Sequence, residues 1–325
     1  MDEEQNNQKA RTVILQIAIL DDYQNVALDC ADWSSLGGRA KVSVFSDHLS
    51  DADQIVERLA PYEVVCVMRE RTPLTREIIA RLPQLKLIAS TGPQNASIDM
   101  AAAMDHRIDV MHTRYESSPT VELTWALILA SARNIPGETL SVRDGGWQKS
   151  IGDGIRGKVL GILGLGKIGT QVARIAHAFG MDVIAWSENL EPDGAQKHGA
   201  RWVSRQELFR QADILTIHLI LSSRTEGLVG ASELRLMKRS ARLVNTSRGP
   251  LVDEAALVEA LRNRQIAGAA IDVFDLEPLP HDHPLRQLDN VIATPHIGFV
   301  SRDLYKVFYQ DTVANISQWL QTRQL

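Results

Sequence analysis

Short apolar runs that are typical of buried β-strands alternate with helix-like segments along most of the chain. Parallel strands need a long crossover between them, which is usually a helix, so this alternation indicates parallel sheets. In the first part of the chain we expect strands at residues 13–20, 42–45, 63–68, 86–89 and 108–112. In the second part we expect them at residues 158–163, 182–186, 213–218, 242–245, 268–273 and 290–294. The pattern predicts an α/β fold.

Helical candidates separate these strands, at residues 51–60, 75–82, 98–106, 166–179 and 253–263. A long helix is expected to begin at Ser118-Pro119, with Ser118 as its N-cap and Pro119 at the first helical position. The last helical segment, 303–320, is expected to pack back onto the first part of the chain. A chain of 325 residues is long enough for two domains. We expect one domain at residues 118–296 and a smaller one at 1–117 plus 297–325.

The composition favours small molecules as partners and the cytoplasm as location. A formal charge of −5 gives no reason to expect nucleic acid or an anionic membrane as a partner. The acidic, polar start of the chain lacks the apolar core of a signal peptide, and the most apolar helical stretch, residues 125–132, is too short to cross a bilayer. Cys30 and Cys66 are the two cysteines, so a reducing compartment is expected rather than a disulfide framework.

A glycine-rich loop follows the strand expected at residues 158–163. Gly164, Gly166 and Gly169 form the pattern G-x-G-x-x-G. The first glycine permits a tight turn, the second lets a pyrophosphate approach the backbone, and the third allows the helix to pack closely on the strand. N–H groups at the helix start can then bind the phosphates. A structural glycine turn is the alternative, but the strand–loop–helix context predicts a dinucleotide site.

The end of the next strand bears on which dinucleotide binds. An acidic residue usually stands there to contact the ribose hydroxyls of NAD. This chain has Ser187 at that place and Glu188 one residue later. Glu188 would repel the additional phosphate of NADP, and no arginine stands nearby to bind it. The segment favours NAD, with NADP left open.

Three short motifs near the C-terminus, at residues 245–249, 276–278 and 295–298, each follow an expected strand. In an open parallel sheet, ligands bind beyond the carboxyl ends of the strands, so side chains of these motifs can meet. Arg248 can bind a carboxylate with two hydrogen bonds and polarise a neighbouring carbonyl. His296 can donate the proton that accompanies hydride transfer. Glu277 can accept the other ring N–H, which fixes the tautomer and favours the protonated form.

These motifs resemble those of the NAD-dependent D-2-hydroxyacid dehydrogenase family, most strongly from Gly157 to Gly298. The resemblance implies a Rossmann doubly wound parallel-sheet nucleotide domain, a smaller flavodoxin-like α/β substrate domain and a homodimer. It implies reversible reduction of a 2-oxo acid to a D-2-hydroxy acid, with Arg248, Glu277 and His296 as the catalytic set. It also implies cofactor contacts from Lys167, Ile168, Thr246, Asp272 and Gly298.

Departures from the family pattern bear on the substrate. Phe299 stands where many members have a second glycine after P-H-[IL]-G, and Pro93 removes an N–H donor from the loop that commonly reads T-G-x-G. We expect the backbone of Gln94 and Asn95 to bind the substrate carboxylate. Arg69 and Arg71 follow another expected strand, and phosphoglycerate-type members often carry arginine here. Either could bind a distal anionic group of the substrate, although a solvated loop ion pair is an equal alternative.

Two other functions share this scaffold. Transcriptional corepressors that sense NAD(H) have the same fold, and formate or phosphite dehydrogenases act on smaller anions. The segment His281-Asp282-His283 superficially suggests a metal site, but no other ligand cluster has matching spacing, and we expect a polar loop and no metal.

Overall fold

The structure, a computed structural model, describes residues 14–323. Val13, where we expected the first strand to begin, and the polar start of the chain lie outside the described residues. The described chain divides into two units. One contains the residues up to Glu116 together with those from Ser301, and the other is Ser117–Val300.

The first unit is built on a five-stranded parallel sheet. Its strands are β1 (Leu15–Ile19), β2 (Ala40–Val44), β3 (Val64–Val67), β4 (Leu87–Ser90) and β5 (Asp109–His112). The order β2-β1-β3-β4-β5 is that of flavodoxin-like sheets. The expected flavodoxin-like α/β architecture is therefore confirmed.

The helices between these strands are short. They are α1 (Ala27–Cys30), α2 (Ala52–Leu59), α3 (Arg76–Ala80) and α4 (Met100–Asp105), with a 3₁₀ segment at Trp33–Arg39. Asp51, Thr75 and Asp99 begin α2, α3 and α4, because each side chain accepts a hydrogen bond from a backbone N–H in the first turn.

The second unit contains a seven-stranded parallel sheet in the order β12-β11-β10-β9-β6-β7-β8. Its strands are β6 (Val159–Leu163), β7 (Asp182–Trp186), β8 (Arg201–Trp202), β9 (Ile214–Ile217), β10 (Arg242–Asn245), β11 (Gly268–Ile271) and β12 (Val291–Ala293). Six of them follow the Rossmann order, with β12 added at one edge. All residues of β9 and β11 are buried, as expected for strands covered on both faces. The doubly wound nucleotide fold is confirmed.

The helices of the second unit alternate with its strands. They are α5 (Ser118–Arg133), α6 (Ile135–Arg143), α7 (Lys167–Ala178), α8 (Pro192–Lys197), α9 (Arg205–Gln211), α10 (Ala231–Leu236) and α11 (Glu254–Arg262), with 3₁₀ segments at Gly249–Leu251 and Pro284–Gln287. Among the described residues no helix is both long and apolar enough to span a bilayer.

The start of α5 differs from the sequence prediction. Ser117, not Ser118, is the N-cap, and its hydroxyl makes no capping hydrogen bond. Ser117 has helical backbone angles, which do not aim its side chain at the first turn, and its hydroxyl accepts a hydrogen bond from Gln171 Nε2 at 2.9 Å instead. Pro119 is therefore the second helical residue. The prediction of Ser118 as the cap was wrong because the helix begins one residue earlier, with Ser118 as its first helical residue.

The final helix, α12 (Arg302–Thr322), packs against β4 and β5 of the first sheet and against α1. Its buried side chains are large, including Phe308, Tyr309 and Trp319. Asp311 on this helix accepts hydrogen bonds from Arg114, whose backbone N–H lies 2.9 Å and Nη2 2.8 Å from the carboxylate. The Arg114 guanidinium lowers the pKa of the Asp311 carboxyl. The pair ties the helix to the segment that follows β5.

Replacing Asp311 with asparagine should lower the free energy of unfolding by about 1 kcal/mol at pH 7, a value kept small because Arg114 is largely solvent-exposed. A carboxyl group whose pKa is lower in the folded state than in the unfolded state stabilises the fold fully above its unfolded pKa, about 3.9. This stabilisation is lost as the pH falls through the folded-state pKa. Urea unfolding of both proteins at pH 7, 5 and 3.5 measures this difference. Equal stabilities at pH 7 would contradict the prediction.

Candidate active site

The three C-terminal motifs follow neighbouring parallel strands. Arg248 comes after β10, Glu277 after β11 and His296 after β12, and these strands pair in the order β10, β11, β12. The loops also touch, because a Cβ at Gly249 would collide with the carbonyl group of Phe274. Only glycine therefore lets the arginine loop lie against the segment that leads to Glu277. The structure brings these motifs to one edge of the sheet.

His296 and Glu277 form a hydrogen-bonded pair. The ring Nδ1 lies 2.6 Å from Glu277 Oε2, and the other carboxylate oxygen accepts the Phe274 N–H at 2.9 Å. Each oxygen of the Glu277 carboxylate thus has a hydrogen-bond partner. The hydrogen bond to Oε2 places the ring proton on Nδ1. Both side chains keep partial exposure, at 22% and 32%. Nε2 is left as the ring atom that can exchange a proton with a ligand.

Asp272 anchors the loop that carries His296. It is fully buried, and its carboxylate accepts hydrogen bonds from Thr294 Oγ1 at 2.5 Å, Ile297 N at 2.9 Å and Gly298 N at 2.7 Å. Burial raises the pKa of the Asp272 carboxyl, and these hydrogen bonds oppose that effect. From the family resemblance Asp272 was expected to contact only the cofactor, and Thr294 was not among the predicted site residues. The sequence carries no signal for these contacts, because they depend on the path of the loop after β12.

The Arg248 loop is held by its own polar residues. The Asn245 side chain donates to the Arg248 carbonyl at 2.9 Å and accepts from the Ser247 N–H at 3.0 Å. Ser247 Oγ donates to the carbonyl of Ile217 in the adjacent strand β9 at 2.8 Å. The half-buried Arg248 donates from Nη1 to the Ser247 carbonyl at 2.7 Å. Asn245 and Ser247 therefore set the position from which the guanidinium extends.

The glycine-rich loop joins β6 to α7. Gly164 has a φ of 103°, and a Cβ there would lie 2.6 Å from the His218 carbonyl oxygen, so both conformation and space require glycine. A Cβ at Gly169 would collide with the Gly164 carbonyl. At Gly166, by contrast, no heavy atom of the described residues would lie within 4 Å of a Cβ. This open position at the start of α7, followed by Lys167 and Ile168 in its first turn, fits a dinucleotide pyrophosphate.

Neighbouring residues extend this edge of the sheet. Gly164 N–H donates to the Trp186 carbonyl at 2.9 Å, so the half-buried Ser187 and the exposed Glu188 follow directly beside the loop. On the other side of the loop, His218 directly follows β9, and its Nε2 lies 3.0 Å from Thr216 Oγ1. Burial lowers the pKa of the His218 imidazole to about 3, so it is neutral at physiological pH.

Thr246, which precedes Arg248 in the same loop, is buried rather than exposed to solvent. Its hydroxyl is 2.8 Å from that of Thr124 on α5. This contact joins α5 to the end of β10. Thr124 was not predictable from the sequence, since a threonine inside an apolar helix carries no distinctive signal.

Arg69 lies at the carboxyl end of β3 in the first unit. Its φ is 53°, its N–H donates to Thr91 Oγ1 at 2.8 Å, and its guanidinium carbon lies 5.2 Å from the centroid of the Tyr115 ring. A Cβ at Gly92 would collide with this guanidinium. Arg69 therefore lies directly over the loop at residues 91–95.

Arg71 contacts the loop after β1. Its Nη1 donates to the Asp21 carbonyl at 2.7 Å, and its guanidinium carbon lies 4.3 Å from the centroid of the Tyr23 ring. The guanidinium is therefore held by a carbonyl and an aromatic ring at this end of the sheet.

Gln94 and Asn95 differ in their surroundings. Gln94 is exposed, whereas Asn95 is buried and its side chain donates to the Arg69 carbonyl at 2.6 Å and accepts from the Ser97 N–H at 2.9 Å. The Asn95 side chain therefore shapes the loop. A ligand contact at this residue would have to use its backbone.

The segment at residues 281–283 has a structural contact. His283 Nε2 lies 2.9 Å from Glu254 Oε1, and its Nδ1 accepts a hydrogen bond from the Leu285 N–H. Within residues 14–323 no group of three or more His, Cys, Asp or Glu side chains is arranged to hold a metal ion.

Comparison with known proteins agrees with this geometry. Residues 125–298, more than half of the chain, match the profile described as D-isomer specific 2-hydroxyacid dehydrogenase, NAD binding domain. The chain belongs to this family. The family resemblance inferred from the sequence is confirmed, and the matched segment, which includes the glycine-rich loop, has NAD as its cofactor.

Relatives within the family differ in named substrate and in length. The chain is 42% identical to a glyoxylate reductase of Aeropyrum pernix over 70% of this chain and 71% of that protein. It is 41% identical to a D-3-phosphoglycerate dehydrogenase of Methanocaldococcus jannaschii over 78% of this chain but 49% of that protein. The chain thus spans about half the length of that phosphoglycerate dehydrogenase.

A solved structure shows the same fold. A phosphoglycerate oxidoreductase from Vibrio cholerae superposes with a TM-score of 0.91 at 36% identity, and the match covers 95% of this chain and 100% of that one.

Proposed function

We propose that the protein is an NAD-dependent D-2-hydroxyacid dehydrogenase that interconverts a 2-oxo acid and a D-2-hydroxy acid. The observation that carries the proposal is the hydrogen-bonded pair of His296 and Glu277, at the same strand edge as Arg248 in a family NAD-binding domain. Bound NADH supplies the hydride. Gly164, Gly166, Lys167, Ile168 and Gly169 would hold its pyrophosphate, and Ser187 and Thr246 would lie along the rest of its site. The buried Asp272 would support that site from beneath, through the N–H of Gly298.

The protein groups supply charge and a proton. Arg248 would bind the substrate carboxylate and draw electron density from the adjacent carbonyl. In the reductive direction, His296 Nε2 donates a proton to the carbonyl oxygen while the carbonyl carbon accepts the hydride. In the oxidative direction the same atom takes the hydroxyl proton. Glu277 orients the imidazole and balances its positive charge.

For the substrate we propose a short 2-oxo acid with a polar or anionic substituent. One relative named above, a D-3-phosphoglycerate dehydrogenase, is named for a substrate with an anionic substituent, and Arg69 and Arg71 offer two cations at the ends of β3 and β1. We propose that these arginines bind the substituent and that the backbone of Gln94 and Asn95 contributes to carboxylate binding.

A spectrophotometric panel tests the proposal. Glyoxylate, hydroxypyruvate, 3-phosphohydroxypyruvate and pyruvate are each assayed at 340 nm with NADH and with NADPH. We expect turnover of at least one acid and a lower KM for NADH, because Glu188 would repel the additional phosphate of NADPH. Cofactor binding without turnover of any acid would favour an NAD(H)-sensing protein. Oxidation of formate or phosphite, with no oxo acid reduced, would instead identify a formate or phosphite dehydrogenase.

We also propose a cytoplasmic homodimer. Both Cys30 and Cys66 are free thiols, as suits a reducing compartment. Residues 135–151 expose five large apolar side chains, and Trp147 and Ile151 are 74% and 100% exposed. Glu138 gives this segment a defined shape, because its carboxylate accepts hydrogen bonds from the Lys149 and Ser150 N–H groups. Apolar side chains displayed on an ordered segment are typical of a protein interface, and a second copy is the commonest partner.

Changing Trp147 and Ile151 together to aspartate should therefore halve the mass in sedimentation equilibrium. The matched control is Trp202→Asp, which places the same charge at another exposed tryptophan of the same unit and should leave the mass unchanged. A wild-type protein that sediments as a monomer would contradict the dimer.

A further inference from the structure

Phe299 stands where many family members have glycine, and its ring lies against the His296 imidazole. The two ring centroids are 5.6 Å apart and the ring planes are inclined by 80°, an edge-to-face contact. Phe299 is only 5% exposed, whereas the His296 side chain is 22% exposed. One side of the imidazole is therefore covered by a buried ring, and another remains open.

The hydrogen bond to Glu277 does not by itself define the imidazole plane. The ring can still swing about its Cα–Cβ and Cβ–Cγ bonds, because the partly exposed Glu277 carboxylate can follow part of that rotation with the hydrogen bond kept. Such a swing moves Nε2, the atom at the far side of the ring. A second contact on the ring is needed to hold Nε2 in one place.

The backbone around His296 makes Phe299 suitable for that task. His296 has a φ of 53°, and its N–H donates to the Thr294 carbonyl at 3.0 Å. The next two N–H groups bind the Asp272 carboxylate, and Val300 N–H donates to the Ile297 carbonyl at 2.9 Å. These bonds form a tight turn that returns residue 299 to the imidazole. The phenyl ring is attached to the same anchored loop as the histidine.

We propose that Phe299 is a positioning residue, which together with Glu277 fixes the plane of the His296 imidazole and so the direction of Nε2. The inference rests on the proposed role of His296 as the acid/base. Phe299 takes no part in proton transfer itself. It limits the fraction of time in which Nε2 points away from the reacting oxygen.

The first test is a double-mutant cycle with glyoxylate or hydroxypyruvate, whichever turns over faster. Phe299→Ala should lower kcat about tenfold and leave the KM for NADH within about twofold, since small misplacement of a catalytic group is costly. In a His296→Asn background, Phe299→Ala should lower kcat by less than about twofold, because the group that Phe299 positions is no longer present. Phe299→Leu, which keeps apolar volume without a flat ring, should recover only part of the loss.

Phe179→Ala is the matched control. It removes another aromatic contact of the same unit, the stack of Phe179 on Trp125 at 4.9 Å, and should lower Tm with kcat within about twofold. If Phe299→Ala lowered kcat equally in both backgrounds, or left the kcat of the otherwise wild-type protein unchanged, the positioning role would be overturned. A fully active His296→Asn variant would instead overturn the proposed function.

A second measurement does not depend on turnover. Acylation of histidines by diethyl pyrocarbonate, read by peptide mass, should be faster at His296 in Phe299→Ala than in the wild type, because the covering ring is removed. His283, which contacts Glu254, is the internal reference and should react equally in both proteins. An unchanged rate at His296 would show that Phe299 does not restrict the imidazole.

Discussion

His296→Asn is expected to lower kcat by about 10²-fold or more while the affinity for NADH stays within about twofold, because only proton transfer is removed. Asparagine is a suitable replacement for two structural reasons. It tolerates the left-handed backbone that His296 adopts, with φ at 53°. Its amide can also donate to Glu277 where Nδ1 does now. The loop should therefore keep its shape without a group that titrates.

The measurement is steady-state kinetics together with NADH titration by fluorescence. His283→Asn is the matched control, since His283 also contacts a glutamate, Glu254, at 2.9 Å but has no proposed role in the reaction. Its kcat should remain within about threefold of wild type. Near-normal turnover of the His296 variant would exclude this residue as the acid/base.

The second large effect concerns the glycine-rich loop. Gly166→Val should weaken NADH binding about 10²-fold, because the new side chain fills the space proposed for the pyrophosphate. Stability should change little. The φ of Gly166 is −88°, which valine can adopt, and a Cβ there would have no heavy atom of the described residues within 4 Å.

Gly169→Val is the informative comparison, because the same substitution three residues later meets the Gly164 carbonyl. The helix must move, so Tm should fall by about 5 °C or more as NADH binding is lost. Calorimetry of both variants, with and without NADH, separates the two effects. Wild-type affinity in Gly166→Val would show that the dinucleotide does not bind at this loop.

The central strands of both sheets were predictable from the sequence because they are buried on both faces. The runs at residues 213–218 and 242–245 have apolar centres between polar ends, and the structure places β9 and β10 there. The exception is β8, which is two exposed residues at the sheet edge, Arg201–Trp202. A strand that buries nothing leaves no hydrophobic pattern, so only its pairing with β7 in three dimensions reveals it.

The candidate site was predictable where a residue type limits the chemistry, as with the Glu277 and His296 pair. Contacts that depend on loop path were not predictable. Nothing in the sequence indicated that Asp272 binds the amides of residues 297 and 298, or that the phenyl ring of Phe299 returns to His296. Both follow from a turn whose shape depends on several hydrogen bonds formed together, which no single motif encodes.

The division of the first unit between two distant parts of the chain affects the order in which the protein can fold during synthesis. Its five strands are translated early, but α12, which covers β4 and β5, leaves the ribosome only after the whole of the second unit. Until then the apolar surface beneath Phe308 and Trp319 has no cover from its own chain. The second unit is continuous and can fold first. The nascent first sheet is therefore the part of this protein with the greatest need for a chaperone.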